Sequence, residues 1–489
     1  MTVQNIQPAN PKSGRFFARS FVMLTGNRWD PLFYEHDLYH FVRSSQPLVR
    51  LGDYLKAIRT GFAAGKTAQS NADGGIIQIR PTNLSENHEL VFMRNVYIDR
   101  LEAIARPLDL LQRGEILFNN TNSQALVGKT VLFDLPGEFV ASNHITRLRT
   151  NDKLLRADFL VCLLNLYHQH GVFFRLCTNW NNQSGVGPDV LRRVLIPSID
   201  LKRQEEIAMR WNQALAQRKK RETQASQLLA TIDDVLLDEL GIPRRPEPSN
   251  TLESRIFKSS FATLTGQRWD PLYHQADIFA FVRDAKCSLQ RLGRKVNYFV
   301  TGFPAGRGDQ VDEDDGGIIQ IRPTNLSDDR ELVFKRNVYI AASELKTRKA
   351  DVLKRDEVLF NNTNSQEQVG KTVWFDLEGD YFSSNHITRI GVKTDELNPQ
   401  YLTYVLNLYQ RRKVFFKLCT NWNNQSGVGS DILQRVPIPL PKLARQAEIV
   451  KRLESGRAKA RALREQARAD FEKAKRDIEA LILGKESSA

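Results

Sequence analysis

Two amide-rich blocks occur twice in this chain. One is Asn119-Asn120-Thr121-Asn122-Ser123, matched by Asn361-Asn362-Thr363-Asn364-Ser365. The other is Asn179-Trp180-Asn181-Asn182-Gln183-Ser184-Gly185, matched by Asn421-Trp422-Asn423-Asn424-Gln425-Ser426-Gly427. A side-chain amide donates and accepts at once, so it can meet an adenine edge with two hydrogen bonds. Hydroxyls and backbone N–H groups suit phosphate oxygens. Arginines stand beside these blocks at matching places. Arg80 is followed by Thr82 and Asn83, and Arg322 by Thr324 and Asn325; Arg147 follows Asn143 and His144, and Arg389 follows Asn385 and His386. A guanidinium can reach phosphate or guanine. The same polar residues also cap helices and close turns, and Trp180 and Trp422 can equally plug a core.

Catalytic chemistry finds less support. The segment 61–67, GFAAGKT, is one residue short of a phosphate-binding loop, and its second copy reads GFPAGRGD, with Arg307 where Lys66 stands. Lys66 and Arg307 still suit an anionic partner. Gly128-Lys129-Thr130 and Gly370-Lys371-Thr372 keep a GKT triplet, but Ser123 and Ser365 replace the upstream glycine. Asp30-Pro31-Leu32-Phe33 and Asp270-Pro271-Leu272-Tyr273 approach an amino-methyltransferase motif and carry leucine at its second proline. The eight histidines are dispersed, and Cys162, Cys177, Cys287 and Cys419 form no CxxC pair. The expectation is a chain with no catalytic centre, no metal and no cofactor of its own.

These residues recur because the chain is one unit written twice. FVMLTGNRWDPLFY (21–34) returns as FATLTGQRWDPLYH (261–274), GGIIQIRPTNLS (74–85) returns at 316–327, SNHITR (142–147) at 384–389 and LCTNWNNQSGVG (176–187) at 418–429. Residues 76–80 and 130–133 read as strands, 144–149 alternates like a half-exposed strand, and 159–176 is apolar enough for a buried helix. The fold class expected is α+β (mixed α/β), with a disordered tail at 1–13, globular domains at 14–198 and 254–440, long helices at 199–241 and 441–484, a linker at 242–253 and a tail at 485–489. Steps of three and four residues place Trp211, Leu215, Leu229, Ile232 and Leu236 on one stripe of the first helix. Val450, Leu453, Phe471, Ile478 and Leu481 share a stripe of the second. Rods of roughly 60 Å need a partner, and each is the other's simplest one. Antiparallel pairing gives a pseudo-two-fold arrangement. Arg218, Glu222, Arg457 and Arg464 interrupt the seams and leave room for a further protein.

The chain has 489 residues and a formal net charge of +14, with a sequence pI of about 9.6, which favours a polyanionic partner. Its first residues lack an apolar signal stretch and no window approaches a membrane span, so a cytoplasmic location is expected.

In order and in duplicate, RWDPLFY and RWDPLYH, LFNNTNSQALVGKTVLFD, SNHITR and the exits NNQSGVGPDVLRRVLIPSIDLKRQEEI and NNQSGVGSDILQRVPIPLPKLARQAEI are similar to type I restriction–modification specificity subunits. That resemblance implies two target-recognition domains, antiparallel helices, and double-stranded DNA as ligand. It also implies two methyltransferase subunits using S-adenosylmethionine, and a restriction/translocase subunit using ATP and Mg as a further partner. The close likeness of the two copies points to a bipartite site with similar, inverted half-sites. Other readings are a recognition subunit of another phage-defence methyltransferase system and a stand-alone DNA-binding scaffold.

Overall fold

The strand Ile145–Thr150, within the stretch expected as half-exposed, is an inner strand of a four-stranded antiparallel sheet and is buried except at Arg149. A computed structural model describes residues 46–65, 68–70, 74–93, 95–180, 183–244, 251–265, 270–274, 277–422 and 425–484. The motif at 21–34 lies outside them. In this central sheet the order is Leu55–Thr60, Ile145–Thr150, Glu115–Asn119, Thr130–Phe133. Leu148 and Thr146 face a helix, Ala157–Gln169. Arg147 points to the other face and is covered by the segment carrying Leu108 and Leu110. A second sheet runs Gln69–Ser70, Val96–Asp99, Gly75–Ile79, Phe139–Ala141, its last pair parallel.

The apolar stretch 159–176 is two helices. Ala157–Gln169 ends before Gly171, which takes a left-handed conformation (φ 69°), and Val172–Leu176 follows. In the second copy Lys413 takes the same conformation (φ 57°). Asn165 fixes the helix on the edge strand: its Oδ1 accepts from Thr130 N at 3.1 Å and its Nδ2 donates to Thr130 O at 2.8 Å. Asn407 does the same to Thr372. The second copy repeats both sheets, with Val296–Thr301, Ile387–Val392, Val358–Asn361 and Thr372–Trp374 in its central sheet.

Contacts divide the chain into two compact units that cut across the sequence repeat: 1–221 with 465–489, and 222–464. Each therefore takes helix from both repeats. In the first unit Trp211 lies 5.3 Å from Phe471, centroid to centroid, and Arg221 pairs with Asp470. Phe471, Ile478 and Leu481 belong to the same core as Phe159 and Trp211, with Leu215 packed at its margin. In the second unit Ile232, Leu236, Val450 and Leu453 share a core, Leu229 borders it, and Glu239 pairs with Arg445 and Arg452. Within each unit the two helical segments run antiparallel.

The first helix is interrupted: Leu201–Ala230 and Ile232–Leu240 meet at Thr231, whose Oγ1 donates to Leu228 O at 2.8 Å. Such a back-bond from a β-branched residue bends a helix. Gly241 (φ 66°) ends it, while the second runs unbroken over Leu443–Ile482. Three of the charged residues that interrupt the seams, Arg218, Arg457 and Arg464, make contacts within their own unit. In the second unit Arg457 donates to Asp329 O at 2.8 Å and pairs with Glu331 at 3.0 Å, and Arg464 pairs with Asp329. In the first, Arg218 lies over the Phe471 ring and Lys219 pairs with Glu89.

The domain loops that meet the helices, SENHELV at 85–91 and SDDRELV at 327–333, differ at three positions. His88 (φ 60°) packs against Trp211 at 5.5 Å, and Arg330 (φ 63°) replaces it in the second unit. Burial, reinforced by Arg218, holds the His88 imidazole down at about 4.

Candidate nucleic-acid interface

Five strand ends meet at one rim of each unit. In the first unit Gly61 N donates to Ile145 O at 3.0 Å, Phe62 N to Ala141 O at 3.1 Å and Asn143 N to Phe62 O at 3.1 Å. Ser142 N donates to Ile79 O at 2.9 Å, Asn120 N to His144 O at 3.1 Å and Val186 N to Asn120 O at 2.9 Å. Gly61 is required here, since a Cβ would overlap the Ala141 carbonyl. A short three-stranded ribbon completes the rim: Thr178–Trp180, Gln183–Gly185, Thr121–Asn122, with Ser184 opposite Asn122. The two amide-rich blocks are thus neighbours. The second unit repeats the bonds through Gly302, Phe303, Asn362, Ser384, Asn385 and Val428, and the ribbon through Thr363–Asn364, Gln425–Gly427 and Thr420–Trp422.

Within this rim the expected site residues divide into two groups. One group holds the rim together, and for it the expected contact with a ligand is corrected. Asn119 and Asn361 are buried and donate to Leu126 O at 2.8 Å and Gln368 O at 2.9 Å. Asn120 and Asn362 donate to Thr146 Oγ1 and Thr388 Oγ1, at 2.8 and 2.9 Å. Asn83 and Asn325 are buried and close the turn after Arg80 and Arg322. Arg147 is 5% exposed and Arg389 2%. Arg147 forks onto Glu115 (2.9 Å) and donates to Leu108 O and Leu110 O, and Arg389 forks onto Glu357 and donates to Ala350 O and Val352 O. Neither guanidinium is available to DNA.

The second group faces outward. Thr82, Thr324, Asn143, Asn385, Gln183 and Gln425 are exposed, and Arg80, Arg322, His144, His386, Thr121, Asn122, Thr363 and Asn364 are half-buried. Arg80 is pre-set: its Nε and Nη2 donate to Gln78 Oε1 at 3.1 and 3.0 Å, and Gln78 Nε2 donates to Phe62 O at 2.9 Å. Gln320 holds Arg322 Nε at 3.1 Å. These glutamines were not singled out from sequence. They stand two residues before each arginine, and that spacing on a strand puts both side chains on one face. His144 and His386 are held below the usual imidazole value by burial and then by Arg80 and Arg322, so both are neutral at pH 7. Trp422 is 45% exposed, which corrects its reading as a core plug. Lys66, Asn181, Asn182, Asn423 and Asn424 lie outside the described residues; Arg307 opens the short turn Arg307–Asp309.

A further glutamine pair joins each domain to its helix. Buried Gln446 accepts from Asn398 N at 2.8 Å and donates to Glu396 O and Pro441 O, at 3.0 and 2.9 Å. Gln204 does the same with Arg156 N, Leu154 O and Ile199 O. Among the described residues no group of His, Cys, Asp and Glu could hold a metal ion, and no helix is long and apolar enough to cross a membrane.

The chain thus carries two α+β units, each with the same polar rim. Residues 309–469 match the model of the type I restriction modification DNA specificity domain. A putative type I restriction enzyme MjaX specificity subunit of Methanocaldococcus jannaschii is 26% identical over 96 residues, 19% of this chain and 23% of that relative's length. A chain solved to explain complex assembly and conformational transition of the type I R-M system is 16% identical, with 89% of this chain and 96% of that one covered and a TM-score of 0.46. The type I restriction–modification S subunit of M. genitalium is 11% identical, with 90% and 96% covered and a TM-score of 0.41. The matched domain spans residues 309–469, and the first unit repeats its sequence blocks.

Proposed function

We propose that this chain is the non-catalytic specificity subunit of a type I restriction–modification complex in the cytoplasm. It reads a bipartite double-stranded DNA site, one half per unit, and directs two methyltransferase subunits and a restriction/translocase subunit to it. The half-sites are similar and inverted. S-adenosylmethionine, ATP and Mg belong to the partner subunits. The observation that carries the reading is the rim itself, built twice from the same residues, with Arg80 and Arg322 each oriented by a buried glutamine. A preset guanidinium beside exposed amides and hydroxyls suits base edges and phosphates together, and the net charge of +14 suits a polyanion.

The test is to co-express the chain with the methyltransferase encoded beside it and to map N6-methyladenine across the host genome by long-read sequencing. A split motif that disappears when the chain is deleted is expected. Methylation unchanged by the deletion would overturn the proposal.

A further inference from the structure

The sequence blocks that build the rim are the same in both units, and one stretch tied into it differs. NNTNS, SNHITR, IIQIRPTNLS and TNWNNQSG are shared, whereas GFAAGKTAQSNADGG at 61–75 becomes GFPAGRGDQVDEDDGG at 302–317. The first carries one lysine and one aspartate. The second carries Arg307 and five acidic residues: Asp309, Asp312, Glu313, Asp314 and Asp315. If the two rims discriminate differently, the difference has to come from residues that differ between them.

In the second unit both ends of this stretch are tied into the rim. Phe303 N donates to Ser383 O at 3.2 Å and Phe303 O accepts from Asn385 N at 3.2 Å. At the far end Ile321 O accepts from Ser384 N at 2.9 Å. Between them the chain makes the turn Arg307–Asp309, closed by Asp309 Oδ2 accepting from Gly306 N at 2.9 Å. The edge strand Gln310–Val311 and the turn Glu313–Asp315 follow. Asp312, Glu313, Asp314 and Asp315 are all exposed. An excursion anchored at both ends on the rim, with exposed side chains of its own, can change what the unit reads without altering its frame.

We propose that residues 304–317 are the specificity-determining segment of the second unit, and make its half-site differ from that of the first at a few base pairs. This rests on the DNA reading proposed above. Carboxylates accept from the N4 amino group of cytosine and repel phosphates, so the pairs that differ are C·G pairs in the second half-site. The shared rim residues read what the half-sites have in common.

The test uses the full chain with its methyltransferase and the same methylation map. In one chimera the sequence of 61–75 replaces 302–317; in the other the exchange is reversed. Each is expected to give a motif with two identical inverted halves, one of them a half of the original motif. A chimera that keeps the original motif, or one that loses methylation evenly with the motif intact, would sink the inference; the second outcome would place the segment against a partner protein. A variant with Asp312→Asn, Asp314→Asn and Asp315→Asn changes only exposed side chains and guards against a misfolded chimera. It should lose about tenfold in preference at the second half-site alone, and unchanged preference there would equally overturn the proposal. If the unaltered chain directs no motif, it is the DNA reading that fails, and not this refinement of it.

Discussion

Arg322 and Arg389 lie in the same domain, and their surroundings give them opposite work. Arg389 is sealed against Glu357, whose Oε1 also accepts from Tyr298 OH at 2.8 Å. Arg389→Met leaves that carboxylate buried without its counter-charge, and unfolding in urea should show a loss of about 3–5 kcal/mol. Arg322→Ala leaves the buried Gln320 Oε1 without that donor and should cost about 1 kcal/mol of stability, less than Arg389→Met. It should weaken binding to the mapped site by about 1–3 kcal/mol, concentrated at one base pair if the contact is to guanine. Sequence cannot tell these arginines apart, because each belongs to a duplicated polar motif. What separates them is the segment that folds over the outer face of the central sheet, and strand alternation carries no sign of that cover. His88 adds a pH dependence. Its folded value of about 4 lies below the ordinary 6.5, so the unfolded chain binds the proton more readily. Stability is full above pH 6.5 and falls as pH drops toward 4, by up to about 3 kcal/mol. His88→Phe should flatten this part of the stability profile in thermal melts; a profile identical to that of the parent would refute the assignment.

At the level of elements, the seams of the long helices were legible because three-four spacing survives whatever packs against it. Trp211, Leu236, Leu453 and Phe471 are all buried where that spacing places them. The break at Thr231 was not legible, since threonine is tolerated within helices and bends one only where its hydroxyl turns back on the chain. Nor was the split of 159–176, where a glycine in one copy and a lysine in the other make the same left-handed turn. The glutamine joints deserve a direct test. Gln446→Leu removes the partners of one N–H and two carbonyls in a buried corner, and an unmet buried polar group costs about 1–3 kcal/mol. A loss of at least about 2 kcal/mol is expected on chemical unfolding. A neutral result would mean that the domain and the helix are joined by apolar packing alone.

For the molecule as a whole, charge sets how binding responds to salt. If each rim lies against phosphates, the logarithm of affinity should fall linearly with the logarithm of salt concentration, with a slope near −0.9 for each phosphate neutralised. Titrations between 50 and 200 mM salt would check this, and affinity that does not change with salt would argue against a backbone-bound complex. The duplication and the basic charge could be read directly from the sequence. The division into units could not, because it depends on which half of each helix packs with which domain.

That division also sets an order in time. Residues 222–464 are synthesised before 465–482, so every part of the second unit has been made while the first still lacks Phe471, Ile478 and Leu481. The usual sequence of co-translational folding, N-terminal part first, is therefore reversed: the half that is made first is finished last. A stop codon placed after residue 464 would harm the unit that holds Trp211 and Phe159, and a nascent chain would have to keep the apolar face around Trp211 uncovered until residues 471–482 emerged.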